Sequence, residues 1–300
     1  MKLLKTRIYI DGYNLYYGCL KNTSYKWLDL KQVILKILAT VYFGEPEDQF
    51  EFELQPLAIK YFTAPIHKNF AKSNDSVPDQ IAYHKALIAY IGNEIQIITG
   101  EYDASKARAH RFQKGIPARE CEKVEIWKLV EKQSDVALAL NAYSDAIRGE
   151  VDHVVIVTND TDIVPALKLI KEHTHAKIGI IAPTKQNTVA VNQSLDDYSD
   201  WTRTHITNDE LESSPLPNLI RCESSQQIIH RPISWYPRPD EFIPIFAEVK
   251  RVRGSKGAAL KWLSQPCERL GGRVPLSMVL DDTELLALKA YMKQYANDHL

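Results

Sequence analysis

The 300-residue chain has only four cysteines, Cys19, Cys121, Cys222 and Cys267, far apart and with no CxxC pair. That spacing suggests neither a zinc knuckle nor a disulfide framework, and reduced thiols in the cytosol are the expectation. Charge of one sign is also lacking: 37 Lys and Arg against 38 Asp and Glu leave a formal net charge of -1. No bulk positive field draws such a protein onto nucleic acid or acidic membranes, so any binding of that kind must use a local patch. Long apolar runs are missing too. Lys2, Lys5, Arg7 and Asp11 break up the N-terminal stretch, leaving no apolar region for a signal peptide, and no stretch approaches the ~20 apolar residues of a membrane span. With 45% hydrophobic and 25% charged residues, disordered and fibrous classes are excluded. A soluble, cytoplasmic protein without membrane contacts is expected.

What is present is an alternation of short apolar, β-branched runs with longer segments of helical periodicity, the signature of a parallel sheet covered by helices. The runs are Ile8 to Ile10, Leu57 to Phe62, Glu94 to Ile98, His153 to Val157 and Lys177 to Ile181. Helices are expected between them. Leu28, Val33, Ile34, Ile37 and Leu38 have the spacing of one buried helix face, and further helices are read over Ile81 to Ile91, Ser134 to Arg148 and Ala166 to Lys171. The rhythm ends near Trp201. Residues 206–240, which contain Ser213-Ser214-Pro215-Leu216-Pro217 and Trp235-Tyr236-Pro237-Arg238-Pro239, have the composition of an extended linker. This gives an α/β domain over 1–205, a linker over 206–240 and a small helical module over 241–300.

The chemically informative feature is where the aspartates fall. Asp11 directly follows the first strand, and Asp160 and Asp162 follow the strand ending at Val157. Sites in open parallel sheets form outside the carboxyl ends of the strands, where acids from distant sequence positions can converge, with Asp135 completing the group. Clustered carboxylates repel one another unless a cation offsets the charge, and Mg2+ or Mn2+ is the natural partner for oxygen ligands. Such a site suits metal-dependent phosphodiester hydrolysis. Asn14, three residues after Asp11, can orient a carboxylate. Each residue also has a structural reading, Asp162, Ser134 or Asp135 as helix caps and Asp11 or Asn14 as turn residues. A haloacid-dehalogenase-type phosphatase is disfavoured, because Tyr13 stands where it needs a second Asp.

Three stretches together resemble the NYN domain family, a branch of the PIN-like ribonucleases: Tyr9-Ile10-Asp11-Gly12-Tyr13-Asn14-Leu15, Glu131 to Leu138, and Val157 to Pro165 with Asp160 and Asp162. Their order and spacing agree over roughly the first 200 residues. The resemblance implies a Rossmann-like sheet and an endoribonuclease site in which Asp11, Asp135, Asp160 and Asp162 surround Mg2+ or Mn2+. Asn14 lies beside them, and Lys132 is an accessory residue near the scissile phosphate. Where many relatives carry another Asp, six residues after Asp135, this chain has Asn141, with Asp145 one turn further on.

Between Lys106 and Arg119 lies a basic stretch without acids, read as a loop or edge excursion. Lys106, Arg108, Arg111, Lys114 and Arg119 are candidate contacts to the phosphates of single-stranded or structured RNA, with Phe112 available to stack on a base. Tyr13, Tyr16 and Tyr17 are read as core packing. The last 45 residues, including Ala259 to Leu263 and Leu270 to Leu276, resemble the toxin-binding domain of ParS- and Xre-type antitoxins, which implies a protein partner or self-association through that module. A catalytically silent RNA- or nucleotide-binding adaptor and a toxin- or defence-type nuclease controlled by a partner are the other readings the sequence leaves open.

Overall fold

Six strands pair side by side, all parallel, in a single sheet, and the order in which they do so decides where a site can form. The computed structural model describes residues 2–42, 50–185, 190–223 and 225–297. In chain order the first eight strands are β1 (Lys2–Asp11), β2 (Phe50–Thr63), β3 (Ile95–Thr99), β4 (Glu101–His110), β5 (Lys123–Lys132), β6 (His153–Val157), β7 (Lys177–Ile181) and β8 (Trp201–Arg203). The sheet runs β3-β2-β1-β6-β7-β8. The chain therefore winds outward from β1 in one direction, returns, and winds outward from β6 in the other. The switch point lies between β1 and β6, and it is outside the carboxyl ends of such strands that sites form in open parallel sheets.

The helices of this unit are α1 (Gly12–Leu15), α2 (Leu30–Leu38), α3 (Ser76–Ile91), α4 (Ser134–Ile147), α5 (Val164–His173), α6 (Gln193–Asp196) and α7 (Asn208–Glu212). Every residue of β6 is buried, as expected of a central parallel strand covered on both faces. One face forms a core from Val154, Ile156, Ile178 and Ile180 on the strands, Leu138, Ala142 and Ala146 on α4, and Leu167 and Ile170 on α5. The spacing of these α4 residues is that of one helix face, which fixes the side that α4 turns to the sheet. Each strand read from the sequence is present: β6 and β7 have the bounds read, β3 is shifted by one residue, and β1 and β2 extend further than expected. β1, for example, begins at Lys2 because Leu4 and Thr6 are buried as well.

The basic stretch is strand as far as His110 and a loop only over 111–117. β4 and β5 form a ten-residue antiparallel hairpin, in register from Glu101 opposite Lys132 to His110 opposite Lys123. The periodicity is hidden because most of both strands is exposed, so neither face shows the apolar alternation of a half-buried strand.

The chain divides into two units, Met1–Ile229 and His230–Leu300. The free linker expected over 206–240 is thereby corrected. Thr207 caps α7 in a reciprocal capping box with Glu210. The Asp29 N–H donates to the Ser214 carbonyl (2.8 Å), the Leu216 N–H to the Trp27 carbonyl (3.0 Å), and Trp27 Nε1 to the Pro217 carbonyl (2.9 Å). Proline prevents regular structure here, while its neighbours' polar backbone still finds partners in the loop ahead of α2. The second unit holds α8 (Pro239–Arg253), α9 (Lys256–Leu263), α10 (Pro275–Met278) and α11 (Asp282–Asn297) around its own core, which includes Phe242, Phe246, Leu260, Leu263, Leu285 and Leu288. It is helical as expected, and larger than 241–300. No helix among the described residues is long and apolar enough to cross a membrane.

A candidate active site at the carboxyl ends of β1 and β6

Asp11 is the last residue of β1, and its neighbour Ile10 pairs with Val157 at the end of β6. That register sets Thr158 beside Asp11, and the Thr158 hydroxyl donates to Asp11 Oδ2 (3.0 Å). The Asn14 N–H donates to Asp11 Oδ1 (2.9 Å) and the Asn14 amide Nδ2 to Oδ2 (2.6 Å). Asp11 is thus the N-cap of α1 and a component of the site at once. Gly12 permits this turn, because a Cβ there would stand 2.6 Å from the Phe62 carbonyl oxygen. Burial raises the Asp11 carboxyl above its ordinary range against these hydrogen bonds, and the charge of Asp160 adds to the rise.

Beyond β6 the Thr158 hydroxyl accepts the Asp160 N–H (3.1 Å), and Asp160 Oδ1 accepts the Asp162 N–H (3.0 Å). The capping role considered for Asp162 is taken by Asp160. Asp162 is left exposed, and no hydrogen bond from the described residues engages its carboxylate. Asp135 stands in the first turn of α4, whose start follows the left-handed residue Gln133 (φ 80°). Desolvation, then the charges of Asp11, Glu131, Asp160 and Asp162, push the Asp135 carboxyl up to about 6. All four aspartates read from the sequence therefore share one field. Their oxygens are the donor type a hard divalent cation takes, and Asp135 has charge to be offset, so the set fits Mg2+ or Mn2+ chemically. Among the described residues, however, no three His, Cys, Asp or Glu side chains stand close enough to hold one ion together as placed.

Several members of the site were not singled out from the sequence. Glu131 accepts from the Ser134 hydroxyl (2.5 Å) at the base of α4, and Gly100 makes room for it, since a Cβ there would meet Glu131 Oε1 at 2.8 Å. Tyr13 and Tyr17 are half exposed with ring centroids 4.3 Å apart, which corrects the core-packing reading for both; Tyr16 meets Tyr17 edge-on at 5.2 Å. On β4, Tyr102 has its hydroxyl pushed up to about 12 by burial, then by Tyr13, Tyr17 and Glu131, which places these tyrosines beside the acids. The Lys132 ammonium, expected near a scissile phosphate, is paired with Asp103 across the hairpin (2.7 Å). Lys106, Arg108, Arg111, Phe112, Lys114 and Arg119 are all exposed on the hairpin and its tip, Phe112 to 88%. Arg119 meets Glu120 at 3.2 Å.

A family model described as the NYN domain matches residues 5–201, which takes in β1 through β7 and all four aspartates. The chain belongs to the NYN domain family. It is also 43% identical over 282 residues to 6-hydroxy-3-succinoylpyridine 3-monooxygenase HspA of Pseudomonas putida, an alignment covering 92% of this chain and 89% of that one. That coverage leaves too few residues over to omit the second unit. The NYN match stops at residue 201 and does not reach the C-terminal helices, so nothing in it supports the antitoxin resemblance. A solved protein of unknown function from Vibrio parahaemolyticus matches at 20% identity with a TM-score of 0.38, over 68% of this chain and 95% of its own. A likeness that low carries no argument.

Proposed function

We infer that the NYN unit is a metal-dependent endoribonuclease that hydrolyses RNA phosphodiester bonds. The observation that carries this reading is the gathering of Asp11, Asp135, Asp160 and Asp162 at the sheet's switch point, where burial first and then the neighbouring carboxylate charges push Asp135 up to about 6. Asp11, Asp135, Asp160 and Asp162 would hold Mg2+ or Mn2+, which when bound polarises a phosphoryl oxygen and favours a hydroxide nucleophile near neutral pH. The chain's own residues position the reaction. Asn14 and Thr158 fix the Asp11 carboxylate by three hydrogen bonds, so it meets a cation without reorganising. Tyr13, Tyr17 and Tyr102 offer π faces on which unpaired bases stack beside the acids. Lys106, Arg108, Arg111, Lys114 and Arg119 face flanking phosphates, Phe112 adds an outer stacking surface, and Lys132 exchanges Asp103 for phosphate. The helical second unit serves as a protein-interaction or self-association module.

The test is cleavage of end-labelled single-stranded RNA by the full chain in Mn2+, Mg2+ or EDTA, beside Asp160→Asn. Metal-dependent cutting that the substitution abolishes is expected. RNA binding without cutting in either metal overturns the enzyme and favours an adaptor.

One observation favours a second reading: the 43% identity to the monooxygenase extends over both units. On that reading the chain hydroxylates a hydroxypyridine bearing a succinoyl side chain. Oxygen uptake that requires 6-hydroxy-3-succinoylpyridine, with no RNA cutting, decides for it.

A further inference from the structure

Away from the acids, β1, β2 and α4 enclose an open cleft of about 560 Å3 whose floor is built from buried charge. Arg7 and Lys60 are each 7% exposed there, and Asp145 is 4% exposed. Asp145 Oδ2 accepts from the Tyr9 hydroxyl, Lys60 Nζ and Arg7 Nη1, all at 2.7 Å. Two buried cations thus face one buried carboxylate. At the rim, Glu150 meets both Arg7 (3.0 Å) and Arg148 (3.5 Å), so the five charges sum to one positive. An arrangement of this kind is costly unless every proton has an acceptor. Arg7 Nη2 donates to the Pro56 carbonyl (3.1 Å), while its buried Nε–H has no partner among the described residues. Lys60 gives a second proton to Asn141 Oδ1 (3.0 Å), and among the described residues its third has no acceptor.

The cleft mouth is of the opposite character. Leu57, Leu140 and Ile147 line it and are substantially exposed, Leu140 to 61%. Leu57 holds φ at 55°, a left-handed value that is strained for a bulky side chain, where β2 slips register against β1 between Thr6 and Ile8. Bulges and strained residues of this sort gather at binding sites, where they aim side chains.

We propose that this cleft binds a small carboxylic acid with an apolar or aromatic body. The carboxylate accepts the spare proton of Lys60 and neutralises the residual positive charge, and the body lies on Leu57, Leu140 and Ile147. The site is separate from the four aspartates. Arg7 precedes Asp11 by four residues on β1, and Asp145 follows Asp135 by ten on α4, which are distances of about 13 Å and about 15 Å. The proposal therefore stands or falls independently of RNA cleavage.

Titration calorimetry of the full chain with 4-phenylbutyrate tests it, against 4-phenylbutyramide, acetate and inorganic phosphate. One saturable site for the acid is expected, with each comparator at least about tenfold weaker. Lys60→Met is expected to abolish binding but is at risk of not folding. Leu140→Glu is the safer variant, because it sets a negative charge on an exposed rim position without touching the floor. It is expected to weaken 4-phenylbutyrate by about tenfold or more with an unchanged melting temperature. The proposal is overturned by no saturable binding up to about 10 mM, by equal binding of acid and amide, by phosphate binding as tightly as the acid, or by affinity unaffected in Leu140→Glu.

Discussion

Asp135 and Asp145 stand on the same helix, ten residues apart, and their chemistry is opposite. Asp135 is partly buried, lies in a field made by Asp11, Glu131, Asp160 and Asp162 and accepts no hydrogen bond from the described residues; burial first and then that field push its carboxyl up to about 6. At Asp145 burial works in the same upward direction, but hydrogen bonds from Lys60, Tyr9 and Arg7 outweigh it and hold the carboxyl below its ordinary range. Side-chain type and helix are shared, so the difference lies entirely in what each end of α4 meets. At the carboxyl ends of β1 and β6 the chain brings acid to acid and leaves charge for something else to offset. Further down the same strands it meets acid with cation and leaves donors to spare.

Substitution breaks this comparison most directly. Asp145→Asn removes the one carboxylate among the described residues that all three buried donors share, leaving Lys60 as an uncompensated buried charge and Arg7 with Glu150 alone. Breaking a buried ion pair in that way costs about 3–5 kcal/mol, readable as a shift of the urea midpoint at constant m-value. Asp135→Asn is expected to leave stability unchanged or raise it, because it removes repulsion. Equal losses from the two substitutions would show that both carboxylates are structural.

The pH dependence sharpens the same contrast, and its two arms have opposite signs. A folded-state pKa raised to about 6 from the ordinary value of 3.8 means that the folded chain holds the Asp135 proton longer than the unfolded chain. Asp135 therefore costs stability progressively as pH rises from about 4 to about 6. Asp145, held low, contributes stability above the ordinary carboxylate range and loses it as pH falls through that range. Urea midpoints of wild type and Asp135→Asn, measured without divalent cations, are expected to diverge in favour of the variant between pH 4 and 6. Mn2+ at pH 7 is expected to close that gap by supplying the opposing charge. A gap that Mn2+ does not change would count against the cation.

How much of this was legible in the sequence follows the same physics. Continuous apolar runs such as His153 to Val157 announce central parallel strands, because burial on both faces removes alternation. Asp11, Asp135, Asp160 and Asp162 were legible as a group through motif spacing and through their positions at strand ends. Glu131 and Tyr102 were not, because their membership depends on β5 returning beside β4, and a hairpin exposed over most of its length writes little periodicity. Nor was the Arg7, Lys60 and Asp145 floor legible. Lys60 and Asp145 are 85 residues apart, and nothing local distinguishes a buried Lys in a strand from an exposed one. Prolines at 215 and 217 gave the composition of a free linker, whereas the carbonyls around them are bonded to Trp27 and Asp29.

The hairpin offers the smallest effect and extends the comparison to charges answered only by solvent. Arg108 lies opposite Glu125 across the ladder, so part of its charge is already offset. Arg111 begins the tip, with its N–H on the Glu122 carbonyl (2.9 Å) and no ion pair to its guanidinium among the described residues. If the hairpin carries RNA phosphates, Arg111→Ala is expected to reduce the slope of log affinity against log salt by about 1. Arg108→Ala is expected to reduce it by less, since removing Arg108 also frees Glu125 to repel the strand. Binding is best measured by fluorescence anisotropy in EDTA, where cleavage cannot consume the probe. Equal slopes in wild type and both variants would remove the hairpin from the RNA path and leave the tyrosines beside Asp11 as the surface on which bases are held.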